Sequence, residues 1–263
     1  MNVRRLEQVM GIPVSVDVRR ADPSTAGDAL DAAFGVLRAA DDRFSPFRAD
    51  SELARLDRGE LADDELSDDM REVLAIAARA REDSGGAFDV RSPEGRLDTN
   101  GVVKGWAAQR AADVLVAAGM RDFCLNVGGD VVARGEPWPG RPWRVAVRDP
   151  ADPLAVLAVF DVRDGAVATS GTYERGAHVW DGRTGSRDVP LVSATVVAAD
   201  LTTADVLATA VLAMGEEGAA WAAARGAAAV LAIPRTLGSG ESWVVNHDQD
   251  FTEPGRRRSV TSR

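Results

Sequence analysis

The residues best suited to chemistry lie in three short stretches of the chain. In DLTTADVLATAVLAMG, Asp205 and Thr209 stand four residues apart, so a helix presents both on one face. A carboxylate and a hydroxyl one turn apart are hard oxygen donors of the kind Mg²⁺ takes, with water and phosphate oxygens completing its shell. The same spacing also serves a helix without a ligand, where a first-turn acid favours the dipole and a threonine bonds back within the helix. In DTNGVVKGWAAQ, the turn Thr99-Asn100-Gly101 leads into a helix that carries Lys104 near its start. Unpaired N–H groups at a helix N-terminus beside a lysine suit a phosphate or pyrophosphate, and they equally describe a capped helix with a solvated lysine. The GxxxxGK[ST] spacing of a Walker A loop is absent. In AHVWDGRTG, His178 precedes a turn rich in caps and donors. It reads either as a proton acceptor or as a satisfied strand histidine.

Other chemistries are poorly served. No GxSxG nucleophile elbow is present. Cys124 is the only cysteine and sits in the apolar run Phe123-Cys124-Leu125, which excludes a disulfide framework or thiolate cluster and suits a buried thiol. With 41 acidic against 31 basic residues the net charge is −10, which argues against a general nucleic-acid or anionic-membrane binder. An anionic substrate would need a metal or a few placed cations. No apolar run approaches the ~20 residues of a membrane span, and the N-terminus lacks a secretory h-region, so a cytoplasmic location and no membrane insertion are expected.

The elements that must position these residues are helical first and strand-rich later. A strand is expected over Val9–Val18. A helix bearing Leu30, Phe34, Leu37 and Ala40 follows Asp22-Pro23. A short helix capped by Asp50 or Ser51 stops at Gly59, and a longer one, capped by Ser67, ends before Gly85-Gly86. The helix after Gly101 runs to Gly119. Strands are expected over 123–127, 131–133, 143–148, 154–161, 166–170, 177–180 and 191–199. A helix capped by Asp200 runs to Gly215, Glu216-Glu217 open another, and strands over 227–233 and 242–245 finish the pattern. Helices early and meandering strands late favour α+β over a doubly wound sheet. Residues 1–252 are expected to form a single domain, and 253–263 a flexible basic tail.

Several of these segments, in this order, resemble the ApbE-type FAD:protein FMN transferase family. They are Met10-Gly11, FSPFRADSELARLDRG, GGAFDV, DTNGVVKGWAAQRAADVLVAAGMRDFCLNVGGDVVARG, PWRVAVRDP, ATSGTYER, HVWDGRTG and ADVLATAVLAMG. The resemblance implies mainly antiparallel sheets flanked by helices, in two closely packed lobes with the nucleotide site between them. It implies that FAD is a substrate and Mg²⁺ the cofactor, and that the partner is an acceptor flavoprotein. A Thr or Ser hydroxyl of that acceptor takes FMN, and AMP leaves. Carried over by residue, the metal ligands would be Asp205, Thr209 and the backbone carbonyl of Val103. FAD would meet Met10, Phe47, Ala87, Phe88, Asp89, Asp98, Lys104, Gln109 and Val179. His178, or a nearby carboxylate, is the candidate base, and Lys104 would offset pyrophosphate charge. The chain departs from the family at Gln109 (usually Asp), Val103 (usually Ala), Gly182 (usually Pro) and Thr172 (usually Asp or Asn). The connector from Asp89 to Asp98 is also short. A FAD pyrophosphatase and a non-catalytic flavin-binding protein are the alternatives the same residues allow.

Overall fold

The computed structural model describes residues 1–172 and 178–235, together with the backbone of 243–246 and 251–252. The chain opens with a hairpin, β1 (Val3–Val9) and β2 (Ile12–Arg19), in place of the single strand expected over 9–18. Met10 and Gly11 form its two-residue turn, both with positive φ (54° and 70°), the pattern that matches strand twist. Helix α1 (Pro23–Phe44) follows, capped by the Asp22 side chain on the N–H groups of Ser24 and Thr25. Its Leu30, Phe34, Leu37 and Ala40 are buried on one face, as their helical spacing requires. Helix α2 (Glu52–Asp57) is capped by Ser51 and α3 (Asp68–Asp83) by Ser67. Helix α4 (Asn100–Ala117) then leads into β3 (Asp122–Val127), β4 (Asp130–Arg134), β5 (Trp143–Arg148), β6 (Val156–Val162) and β7 (Gly165–Gly171). The described chain closes with β8 (Leu191–Ala198), α5 (Leu201–Met214), α6 (Glu216–Ala223), β9 (Ala229–Pro234), β10 (Trp243–Asn246) and β11 (Phe251–Thr252).

An eight-stranded sheet in the order β1-β2-β3-β4-β7-β8-β9-β10 and a three-stranded sheet β11-β6-β5 are paired antiparallel throughout. The fold is therefore α+β. Two cores lie on opposite faces of the large sheet. On one face α1, α4 and α5 pack around Leu30, Phe34, Trp106, Leu115, Leu125 and Leu212. On the other, the alternating inward residues of β5 and β6, including Val145, Phe160 and Val162, meet Val131, Val167 and Leu231. Helix α5 is buried almost all round, so it runs through the centre of the helical layer. Residues 178–180 are irregular where a strand was expected, and the turn after them is closed by the bridge Asp181↔Ser186. Ala177 and the basic tail lie outside the described residues. Among the described residues no helix is long and apolar enough to cross a membrane.

Candidate functional site

Helices α4 and α5 touch at Gly105 of α4. A Cβ on Gly105 would stand 2.6 Å from both the Leu201 carbonyl oxygen and the Asp205 Cβ, so only glycine permits the approach. The contact brings the Gly105 N–H to Asp205 Oδ2 at 2.8 Å. In an unperturbed helix that N–H would serve the carbonyl of Gly101. Asp205 is 1% exposed, an unusual place for an acid. Burial pushes its pKa well above the ordinary carboxylate range, and neighbouring Asp130 adds to the rise. Lys104 and the Gly105 N–H oppose it.

Lys104, one turn into α4, lies between the two acids. Its Nζ is 2.6 Å from Asp130 Oδ2 and 3.6 Å from Asp205 Oδ1. Asp130, at the start of β4 and 1% exposed, also accepts the Thr169 N–H through Oδ1 at 3.0 Å. Two buried acids thus share one ammonium, and when both are ionised a cation would balance the excess negative charge. One turn on from Asp205, Thr209 Oγ1 lies 3.0 Å from Ser170 Oγ at the end of β7. The Gly101 backbone packs against Thr209 as well: a Cβ there would lie 3.4 Å from Oγ1. The donor set of one carboxylate, two hydroxyls and first-turn carbonyls of α4 consists of hard oxygens and fits Mg²⁺. Among the described residues no three His, Cys, Asp or Glu side chains converge.

These groups open into a cavity of about 610 Å³. The β1–β2 turn at Met10 forms one wall, and the loop after α1 brings Phe47 to the rim, 95% exposed. Ala87, Phe88 and Asp89 come from the turn after α3. That turn is pinned by the Phe88 N–H on Ser84 Oγ at 2.9 Å and by Arg81 Nε on Asp89 Oδ2 at 2.8 Å. Asp98, Val103, Lys104, His178, Val179, Asp205 and Thr209 complete the sequence-derived set on its lining. The exception is Gln109, which does not line the cavity. Five residues beyond Lys104 it is turned about 140° around α4. Its Oε1 accepts the Leu201 N–H at 2.9 Å and its Nε2 donates to Asp113 at 2.8 Å, so it caps α5 instead. The helix start differs from expectation too: Asp98 Oδ1 accepts the Asn100 N–H at 3.0 Å, so a carboxylate takes one of the N–H groups expected to face an anion. Cys124 is half-buried, and its thiol pKa is pushed up to about 12 by burial and by Asp17, which keeps it an inert thiol.

Asp130 and Ser170 pack onto these groups as well, although neither was among the candidate residues read from the sequence, whereas Gly101 lay in the turn expected at the helix start. The Gly128-Gly129-Asp130 hairpin was the available signal, since a buried acid after a tight glycine turn needs a counter-charge.

The family model described as the ApbE family matches residues 10–92 and 91–231. The chain belongs to the ApbE family. Among its relatives, the FAD:protein FMN transferase of Rhodobacter capsulatus is 39% identical over 154 residues, 54% of this chain and 29% of that protein. The FAD:protein FMN transferase of Vibrio cholerae is 35% identical over 135 residues, 48% of this chain and 40% of that protein. Less than half the length of each of these relatives is matched. Among solved structures, the flavin transferase ApbE from Vibrio cholerae superimposes with a TM-score of 0.78 at 25% identity, over 93% of this chain and 97% of the other. This ApbE chain therefore shares the fold across nearly its whole length, with the cavity inside the matched region.

Proposed function

We propose that the protein is a Mg²⁺-dependent FAD:protein FMN transferase, moving FMN from FAD to a Thr or Ser hydroxyl of an acceptor flavoprotein and releasing AMP. One observation carries the reading: in an ApbE-family chain, Asp205, Thr209 and Lys104 meet Met10, Phe47, Ala87–Asp89, Asp98, His178 and Val179 on a single cavity. Its volume of about 610 Å³ lies within the range of small-molecule and cofactor sites. The names of the relatives, FAD:protein FMN transferases, support the same reading.

Asp205, Thr209 and a carbonyl of the first turns of α4 would hold the cation. Val103 is the carbonyl expected from the sequence, and Gly101 is the one whose backbone packs on Thr209. When bound, Mg²⁺ offsets charge on the pyrophosphate. The chain's own residues do the rest. Lys104, held beside the acids, offsets further phosphate charge, and the aromatic face of Phe47 at the rim offers a stacking surface for a planar ring. His178 accepts the proton of the acceptor hydroxyl as its oxygen bonds to the FMN-side phosphorus. The bond from that phosphorus to the bridging oxygen breaks, and AMP departs with the electron pair. The enzyme's contribution is positioning and charge compensation for an in-line displacement.

The test is to incubate the protein with FAD, Mg²⁺ and an acceptor domain bearing an Asp-x-x-Ser/Thr-x-Ala/Ser-Ser/Thr segment. Flavin fluorescence that stays on the acceptor through a denaturing gel, with AMP released and both lost on chelation, is the expected result. AMP with free FMN when no acceptor is added would make the protein a FAD pyrophosphatase. Bound FAD with neither product would make it a flavin-binding protein.

A further inference from the structure

We propose that Asp41 is a positioning residue for the cavity: it clamps the β1–β2 turn in the strained conformation that sets Met10 on the cavity wall. The inference rests on the reading of that cavity as the FAD site. The Val9↔Ile12 pair leaves only Met10 and Gly11 in the turn, and both must adopt positive φ for the hairpin to close with the right twist. Gly11 does so freely. Met10, at φ 54°, carries its Cβ into a region that side chains other than Asn, Asp and Gly rarely enter. Strain of this kind persists only where the surroundings impose it, and it concentrates at ligand sites.

The imposing group is Asp41. Its Oδ2 accepts the Met10 N–H at 3.0 Å from the last turns of α1, an element anchored by its buried face. A carboxylate near a helix C-terminus faces the negative end of the dipole, so its presence there calls for another reason. The adjacent acid, Asp42, is offset by Arg48 Nη1 at 2.6 Å. Asp41 forms no ion pair among the described residues, and the Met10 amide is what it holds. From the far side, the Gly128 N–H donates to the Pro13 carbonyl at 3.0 Å, so the turn is gripped between α1 and the β3–β4 hairpin. Met10, Gly11, Ile12, Asp41 and Gly128 all line the cavity, so the clamped turn is itself wall.

The clamp needs an acceptor oxygen, not a charge. Asp41→Asn therefore keeps it and Asp41→Ala removes it. Met10→Asn supplies a residue that tolerates positive φ without help. The experiment measures FAD dissociation constants in Mg²⁺ for the wild type, Asp41→Ala, Asp41→Asn, Met10→Asn and the Asp41→Ala/Met10→Asn double variant, with hydrogen exchange at the residue 10 amide. Asp41→Ala should weaken FAD about tenfold and raise KM with kcat retained, whereas Asp41→Asn should stay within about threefold. In the Met10→Asn background the same Asp41→Ala change should cost less than about twofold. Protection of the Met10 amide should fall in Asp41→Ala and persist in Asp41→Asn. Wild-type affinity in Asp41→Ala, equal losses in Ala and Asn, or additive losses in the double variant would each overturn the proposal. A wild type that binds no FAD would instead overturn the functional reading, and Met10 amide protection would still decide the clamp.

Discussion

Asp205 is a carboxylate that a buried site keeps charged only with help, and the help comes from two sides. The Gly105 N–H approaches at 2.8 Å and Lys104 at 3.6 Å, the latter already shared with Asp130. Asp205→Asn keeps the shape and the acceptor for Gly105 but removes the charge. We expect turnover to fall by at least about 100-fold and the Mg²⁺-dependent rise in Tm to vanish, while the metal-free Tm does not drop. Calorimetry with and without Mg²⁺ checks this. Lys104→Met leaves the two acids facing each other and should destabilise the metal-free fold by about 3 kcal/mol, with Mg²⁺ restoring much of it. An unchanged Tm in that variant would contradict the charge count. The Asp205/Thr209 pair was legible because helical spacing alone puts both on one face. Asp130 was not, since its partner lies 26 positions away in sequence and meets it only through the sheet. Gln109, carried over as a FAD contact, lies on a face of α4 turned away from the cavity, since a likeness of motif carries no rotation angle.

The decisive element-scale contact is the crossing of α4 and α5, and it depends on one missing side chain. Gly105→Ala would drive a methyl into the Leu201 carbonyl and the Asp205 Cβ, both 2.6 Å from its ideal position. Overpacking of this kind costs about 1–3 kcal/mol, or roughly 2–4 °C of Tm per kcal/mol at this size. It should also displace Asp205, so Mg²⁺ affinity should fall along with Tm; isothermal titration decides whether both move together. Most helices announced themselves through caps: Asp22, Ser51, Ser67 and Asp200 each bond the N–H groups they were expected to cap. Strand β1, VRRLEQV, was not announced, because its even positions face solvent and carry Arg4, Leu6 and Gln8, so its alternation is mostly polar. Val179 and Trp180 carry β-type side chains, yet residues 178–180 are irregular and serve as cavity wall.

At the scale of the whole molecule, one large sheet separates a helical layer that holds the cavity from a second core under the three-stranded sheet. The two faces should therefore be separable by mutation. Phe160→Ala, in the second core and 2% exposed, should cost about 3–5 kcal/mol by denaturant titration and leave the FAD dissociation constant unchanged. The fold class was readable because helices precede a meander of turn-separated strands. The division of labour between the faces was not, since it depends on which strands the small sheet covers. That the cavity passes FMN to a protein hydroxyl is tested most directly by counting products. With the acceptor, FAD and Mg²⁺ present, mass spectrometry should find the acceptor heavier by one FMN less one water on a single Thr or Ser, with one AMP formed per modified chain. AMP released in equal amount with the acceptor mass unchanged would contradict it.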